Sequence, residues 1–141
     1  MRLDLALLAD YAIAHEDGRF YMTGAGFTRI VADQVPHVHP QLSFVMRVSF
    51  EAEETGAQYQ LGVDAIGPTG QQILSAVRWP ISWSDQETQV HSVPVIHASF
   101  SAQEILFPVE GTYRFVVMLN DLKLGEVPLE VILRQRFGAP S

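Results

Sequence analysis

Along most of the chain apolar and polar residues alternate with a period of two, and glycines and prolines break the alternation at short intervals. Successive side chains of an extended strand point to opposite faces, so this pattern predicts β-structure throughout. No segment carries a convincing 3.6-residue apolar stripe of the kind an amphipathic helix needs. The clearest strand sets Leu42, Phe44, Met46, Val48 and Phe50 against Ser43, Val45, Arg47, Ser49 and Glu51. The first set should face a core and the second water. Its expected partner follows the Glu53–Gly56 turn, with Tyr59, Leu61, Val63 and Ala65 inward. A further strand is expected around Ile73 to Val77, and another from Pro94 to Phe100.

Turn chemistry divides the rest. Asp17-Gly18 reads as a two-residue hairpin turn, which would pair Glu16 with Arg19 and Ile13 with Met22. Tyr11, Ile13, Phe20 and Met22 would then share an apolar face. A short extended segment, Phe27 to Ala32, is expected next, and Pro36 and Pro40 bracket a loop. Asn120-Asp121 is a second two-residue turn, pairing Leu119 with Leu122 and Val117 with Leu124. Beyond it the apolar phase slips by one residue, to Val127, Leu129, Val131 and Leu133. A slip of one inverts the faces, so a bulge or sheet switch is expected at Gly125-Glu126. Pro128 cannot donate to a ladder and suggests a sheet edge there.

The stretch Leu106-Phe107-Pro108-Val109-Glu110-Gly111-Thr112-Tyr113-Arg114-Phe115 resembles the tyrosine corner of immunoglobulin-like and fibronectin-type sandwiches. In that motif a tyrosine near a strand start returns its hydroxyl to backbone just upstream. Tyr113 is the candidate. With eight or nine strands, the expected fold is all-β, an immunoglobulin-like β-sandwich of two antiparallel sheets. One domain would span residues 1–141, with 134–141 as a frayed tail.

Composition narrows the functional classes. With 141 residues, 48% of them hydrophobic and 18% charged, the chain can bury a core and is not of the disordered type. It has no cysteine, which removes disulfides, thiolate metal sites and thiol nucleophiles. Its net charge is −7 and its nine basic residues are scattered, so nucleic acid is not an expected partner. The segment Met1 to Asp10 is interrupted by Asp4 and Asp10, and reads as a first strand rather than a signal peptide. No run reaches the length of a membrane span, so no membrane is expected and the cytoplasm is the default location.

The segments Leu5-Ala6-Leu7-Leu8-Ala9-Asp10-Tyr11-Ala12, Gly24-Ala25-Gly26-Phe27-Thr28-Arg29-Ile30 and His39-Pro40-Gln41-Leu42 are further marks, joined by Pro108 to Phe115 and Gly125-Glu126-Val127-Pro128-Leu129. Through them the chain is similar to a family of bacterial proteins catalogued as a domain of unknown function. That resemblance implies a β-sandwich and brings no activity, cofactor or catalytic residue.

Candidate chemistry is sparse. His37 and His39 form a His-x-His pair, with His91 or His97 as a conceivable third ligand, but a catalytic zinc needs three ligands and an open position. Ordinary loop histidines, with no metal, are expected. Glu51, Glu53, Glu54 and Asp64 read as a solvated turn rather than a calcium site. No Gly-x-Ser-x-Gly elbow or phosphate loop is present. Trp79 and Trp83 flank Pro80-Ile81-Ser82 in an irregular stretch running to Ser92. Tryptophan is enriched at binding hot spots, so Trp83 is expected to meet a partner or ligand, with Trp79 packed inward. The functional expectation is a non-catalytic cytoplasmic binding or assembly module without cofactor, its partner another protein or a second copy. A small-ligand or carbohydrate-binding sandwich is the alternative. A metal-assisted hydrolase built on His37 and His39 comes third.

Overall fold

The computed structural model describes residues 1–15, 17–54, 56–82 and 95–135. Ten strands make up almost all of the regular structure there: β1 (Arg2–Ala9), β2 (Tyr11–Ala14), β3 (Phe20–Thr23), β4 (Arg29–Ala32), β5 (His37–Ser49), β6 (Tyr59–Ile66), β7 (Val77–Ile81), β8 (Val95–Phe107), β9 (Gly111–Leu119) and β10 (Leu122–Leu133). A single 3-10 turn, Ala52–Glu54, is the only helical element among the described residues. No helix there is long and apolar enough to cross a membrane.

The strands form a three-stranded sheet, β1-β5-β8, a five-stranded sheet, β4-β10-β9-β6-β7, and a two-stranded ribbon, β2-β3. The alternation predicted for β5 holds on its inner face, where Leu42, Phe44, Met46, Val48 and Phe50 are all buried. Leu61, Val63 and Ala65 of β6 and Phe115, Val117 and Leu119 of β9 oppose them in one hydrophobic core. Phe44 stacks on Phe115 across that core, with ring centroids 5.9 Å apart.

Several expectations are corrected. The sheets are not both antiparallel, because β4 runs parallel to β10 with Ile30 opposite Val131. The strand 59–65 is not the partner of β5. It pairs with β7 and β9 in the other sheet, so the chain crosses between sheets at the 51–58 turn. The strand expected at 73–77 starts at Val77, preceded only by an isolated bridge between Ile66 and Gln72. The slip before Val127 lies between Lys123 and Gly125, a residue earlier than expected, with Gly125 rather than Leu124 opposite Val117. Of the expected tail, Arg134 is tied down: its N–H bonds the Ala32 carbonyl at 2.7 Å and its guanidinium pairs with Asp33. Residues 136–141 lie outside the described residues.

The other predicted features are present. Leu119 pairs with Leu122 across the Asn120-Asp121 turn. β4 joins β10 only from Glu130 onward, so Pro128 has a ladder partner on the β9 side alone. Tyr113 is fully buried; its hydroxyl donates to the Val109 carbonyl at 2.7 Å and accepts from the Val109 N–H at 3.2 Å. The hydroxyl thus pairs with both backbone groups of one residue at the chain reversal.

The β2-β3 ribbon adds a third layer. Its register is Ile13 opposite Tyr21 and Ala12 opposite Met22, one residue away from the expected pairing. The His15 N–H bonds the Arg19 carbonyl and Gly18 has φ 86°, so the loop holds three residues ending in a left-handed glycine. Glu16, expected opposite Arg19, lies outside the described residues. The inward face of the ribbon is therefore Ala12 and Ala14, with Phe20, while Tyr11, Ile13 and Tyr21 face water at 45%, 44% and 52% exposure. Ala12 packs with Ala9 and Val45, on the side of β5 that was expected to be wet. The free edge of β2 is closed by side chains: Ser43 Oγ accepts from the Ala12 N–H at 3.0 Å, and Ser99 Oγ from the Ala14 N–H at 3.1 Å. Unpaired strand edges invite association, and here hydroxyls of the underlying sheet remove the invitation.

Candidate functional site

His37 and His39 are not loop residues. They open β5, pairing with Phe107 and Ile105 of β8. Directly opposed residues of an antiparallel pair share a face. Phe107 and Ile105 are core residues, so the two imidazoles stand on the core-facing side of their strand. Further along, the core-facing pairs are Leu42 with Ala102 and Phe44 with Phe100. The inward positions thus change from odd to even between His39 and Leu42, and between Ile105 and Ala102. Glu104, with φ 53°, lies opposite Pro40 at this change of phase. A strand that swaps faces this way is not legible from an alternation that assumes one phase per strand.

The result is two half-buried imidazoles at the mouth of the core. His37 Nε2 and His39 Nδ1 lie 3.4 Å apart, within reach of a mutual hydrogen bond. His37 stacks on Phe107, and Phe27 lies beside His39, each at 6.4 Å between centroids. Burial, then the neighbouring His37, holds His39 below the ordinary imidazole range, with Asp10 pulling the other way. His39 is therefore predominantly neutral near pH 7.

These residues line a groove of 690 Å³. One wall is the Gly24–Phe27 turn, another is β4 with Arg29 and Ile30, and the floor is His37, His39 and Pro40. Asp10 also lines the groove. Gly24, at φ 60°, lies so close to the Asp10 carboxylate that a β-carbon there would collide with it. The Asp10 N–H bonds the carbonyls of Thr23 and Gly24, and the Gly26 N–H bonds Leu8, so backbone fixes this wall. Sequence reasoning singled out the two histidines but missed Asp10, Phe27 and Arg29. All three lie in the segments that carry the family resemblance, but nothing in those segments joined them to the histidines.

The described residues hold no group of three histidine, aspartate or glutamate side chains that could bind a metal ion. His97, considered as a third ligand, sits elsewhere on β8, accepting a hydrogen bond from Arg47 Nε at 3.0 Å. His91 lies outside the described residues. Of the acidic group at 51–64, Glu54 pairs with the chain's amino terminus and Asp64 with Arg78 at 2.8 Å.

Trp79 belongs to β7, opposite Leu61, not to an irregular stretch. It is partly buried against the core, 6.1 Å from the Phe100 ring. Trp83 and the polar run to Ser92 lie outside the described residues.

Fold and site together define an all-β chain with a histidine-lined groove at one end of its core. Residues 4–132 match DUF6941, described as a family of unknown function, and the chain belongs to that family. No curated protein matches it.

Proposed function

We propose that this chain is a non-catalytic binding module on an immunoglobulin-like sandwich, and that the His37–His39 groove is where it takes its target. The Tyr113 corner and the crossing from β5 to β6 between sheets favour the immunoglobulin-like assignment. One observation carries the binding reading: β5 places two polar imidazoles on its core-facing side, at the open end of the core. Apolar side chains there would bury more surface at no desolvation cost, so folding alone does not call for them. Concave sites with an aromatic wall and a few convergent polar groups are the usual form of ligand pockets. The imidazoles face each other rather than a hydroxyl, whereas nucleophilic catalysis needs a base aimed at a nucleophile. The same reading places the protein in the cytoplasm, with a protein segment or small molecule as target and no nucleic acid or membrane.

The test is a thermal-shift screen of small polar ligands, short peptides and zinc against the wild type and His39→Ala. Compounds that raise the wild-type melting temperature by several degrees and leave His39→Ala unmoved support the groove. A chelator is expected to leave the wild-type melting temperature where it is. Hits that stabilise both proteins equally place binding elsewhere and sink this reading.

A further inference from the structure

We propose that the β2-β3 ribbon is a proton-released flap, latched to the three-stranded sheet by His97. His97 Nε2 accepts a hydrogen bond from Arg47 Nε at 3.0 Å. An arginine Nε is always a donor, so this bond requires a lone pair on Nε2 and places the ring's proton on Nδ1. A second proton would go to Nε2. It would abolish the bond and set an imidazolium against a guanidinium that cannot give up its own charge.

Neither partner can retreat without disturbing the ribbon. The Phe20 ring of β3 lies 5.6 Å from His97 and 5.7 Å from the Arg47 guanidinium. The Gly18 turn sits on the imidazole so closely that a β-carbon there would lie 3.2 Å from Cε1. Arg47 and His97 are cross-strand partners within the three-stranded sheet, and the tip of the ribbon rests on the pair through Phe20 and Gly18. Among the described residues of the turn, Arg19 pairs with Asp17 at 3.4 Å, and His15 approaches Asp17 at 3.7 Å.

Burial, then the Arg47 charge, already holds His97 below the ordinary imidazole range. A base whose folded pKa is depressed contributes stability in full above its unfolded value, near 6.5, and loses it as pH falls through the folded value. The latch thus holds at neutral pH and weakens on acidification below about 6.5. Among the described residues the ribbon is also held by the serine bonds, Ser43 to Ala12 and Ser99 to Ala14, by the contact of Ala12 and Phe20 with Ala9 and Val45, and at its base by the bonds of the Asp10 N–H to Thr23 and Gly24.

The ribbon starts at Asp10 and ends at Gly24, and both line the groove. Lifting it loosens that wall, so acid would open the groove or release what it holds. As regulation of binding this rests on the reading given above. As a motion of the ribbon it is tested without a ligand, so its failure and a failure of the ligand screen are read separately.

The measurement is amide hydrogen exchange by NMR on the whole chain between pH 7.5 and 5.0, corrected for the intrinsic pH dependence of exchange. Protection of the Ala12 and Ala14 amides is expected to fall severalfold, by about tenfold if the latch is the main restraint, while the Phe115 amide in the core keeps its protection. In His97→Gln the side-chain amide oxygen can still accept from Arg47 and does not titrate, so the Ala12 and Ala14 protection should stay level with pH. Flat wild-type protection, an equally steep loss in His97→Gln, or a parallel loss at Phe115 would each overturn the proposal.

Discussion

Two hairpins with short turns stand among the described residues, and they differ in what decides their register. At Asn120-Asp121 the strands β9 and β10 are flanked by core on one face, and Leu119 meets Leu122 as a two-residue turn requires. At Asp17-Gly18 the loop takes three residues and the register moves by one. In the first, large inward residues (Phe115, Val117, Leu119) admit only one phase, because inverting it would turn them to water. In the second, the space left over an already complete sheet is thin. Ala12 fits against Ala9 and Val45, and the larger Tyr11, Ile13 and Tyr21 are turned outward. On β2 the two small alanines, not the larger Tyr11 and Ile13, are turned inward.

That contrast can be broken at its strong side first. Phe115→Ala removes a ring stacked on Phe44 in the core, and should cost about 3–5 kcal/mol in urea denaturation. A loss well under that range would mean that the five-stranded sheet can relax into the cavity, and that its register is less firmly held than described. Next, Tyr113→Phe keeps the ring and removes both bonds to Val109. It should cost about 1–2 kcal/mol with an unchanged urea slope. If the substitution is neutral, the corner is packing alone. Smallest of all, Ile13→Ala on the outer face of the ribbon should change stability by no more than about 0.5 kcal/mol. A large loss there would restore the apolar face that the Asp17-Gly18 signal first suggested.

Much of the fold was legible because burial on one face writes itself into the sequence. The inner set of β5, the inward residues of β6, the Tyr113 corner and the slip before Val127 were read from alternation and turn residues alone. What was missed depends on neighbours distant in sequence. Ser43 and Val45 read as wet until a ribbon is known to cover them. The parallel pairing of β4 with β10 joins segments about a hundred residues apart, and no local pattern announces it. For the site, the histidine pair was visible and its place was not. Pro36 and Pro40 argued for a loop, whereas the phase change opposite Glu104 brings His37 and His39 onto the core side of a strand. Asp10 and Phe27 reach the same groove through the Gly24 bend, a meeting that spacing cannot reveal.

The position of β10 has a consequence for the order in which the molecule can be made. It lies between β9 and β4, and β4 has no other ladder partner among the described residues. During synthesis β4 therefore leaves the ribosome about a hundred residues ahead of the strand that completes it, while the three-stranded sheet needs only β8 to close. Contacts of such long sequence separation are slow to form, because loop closure comes before any reward. The nascent chain must carry the Arg29–Ala32 edge open through most of its translation, and the groove wall that β4 supplies exists only once residues 130–133 have arrived.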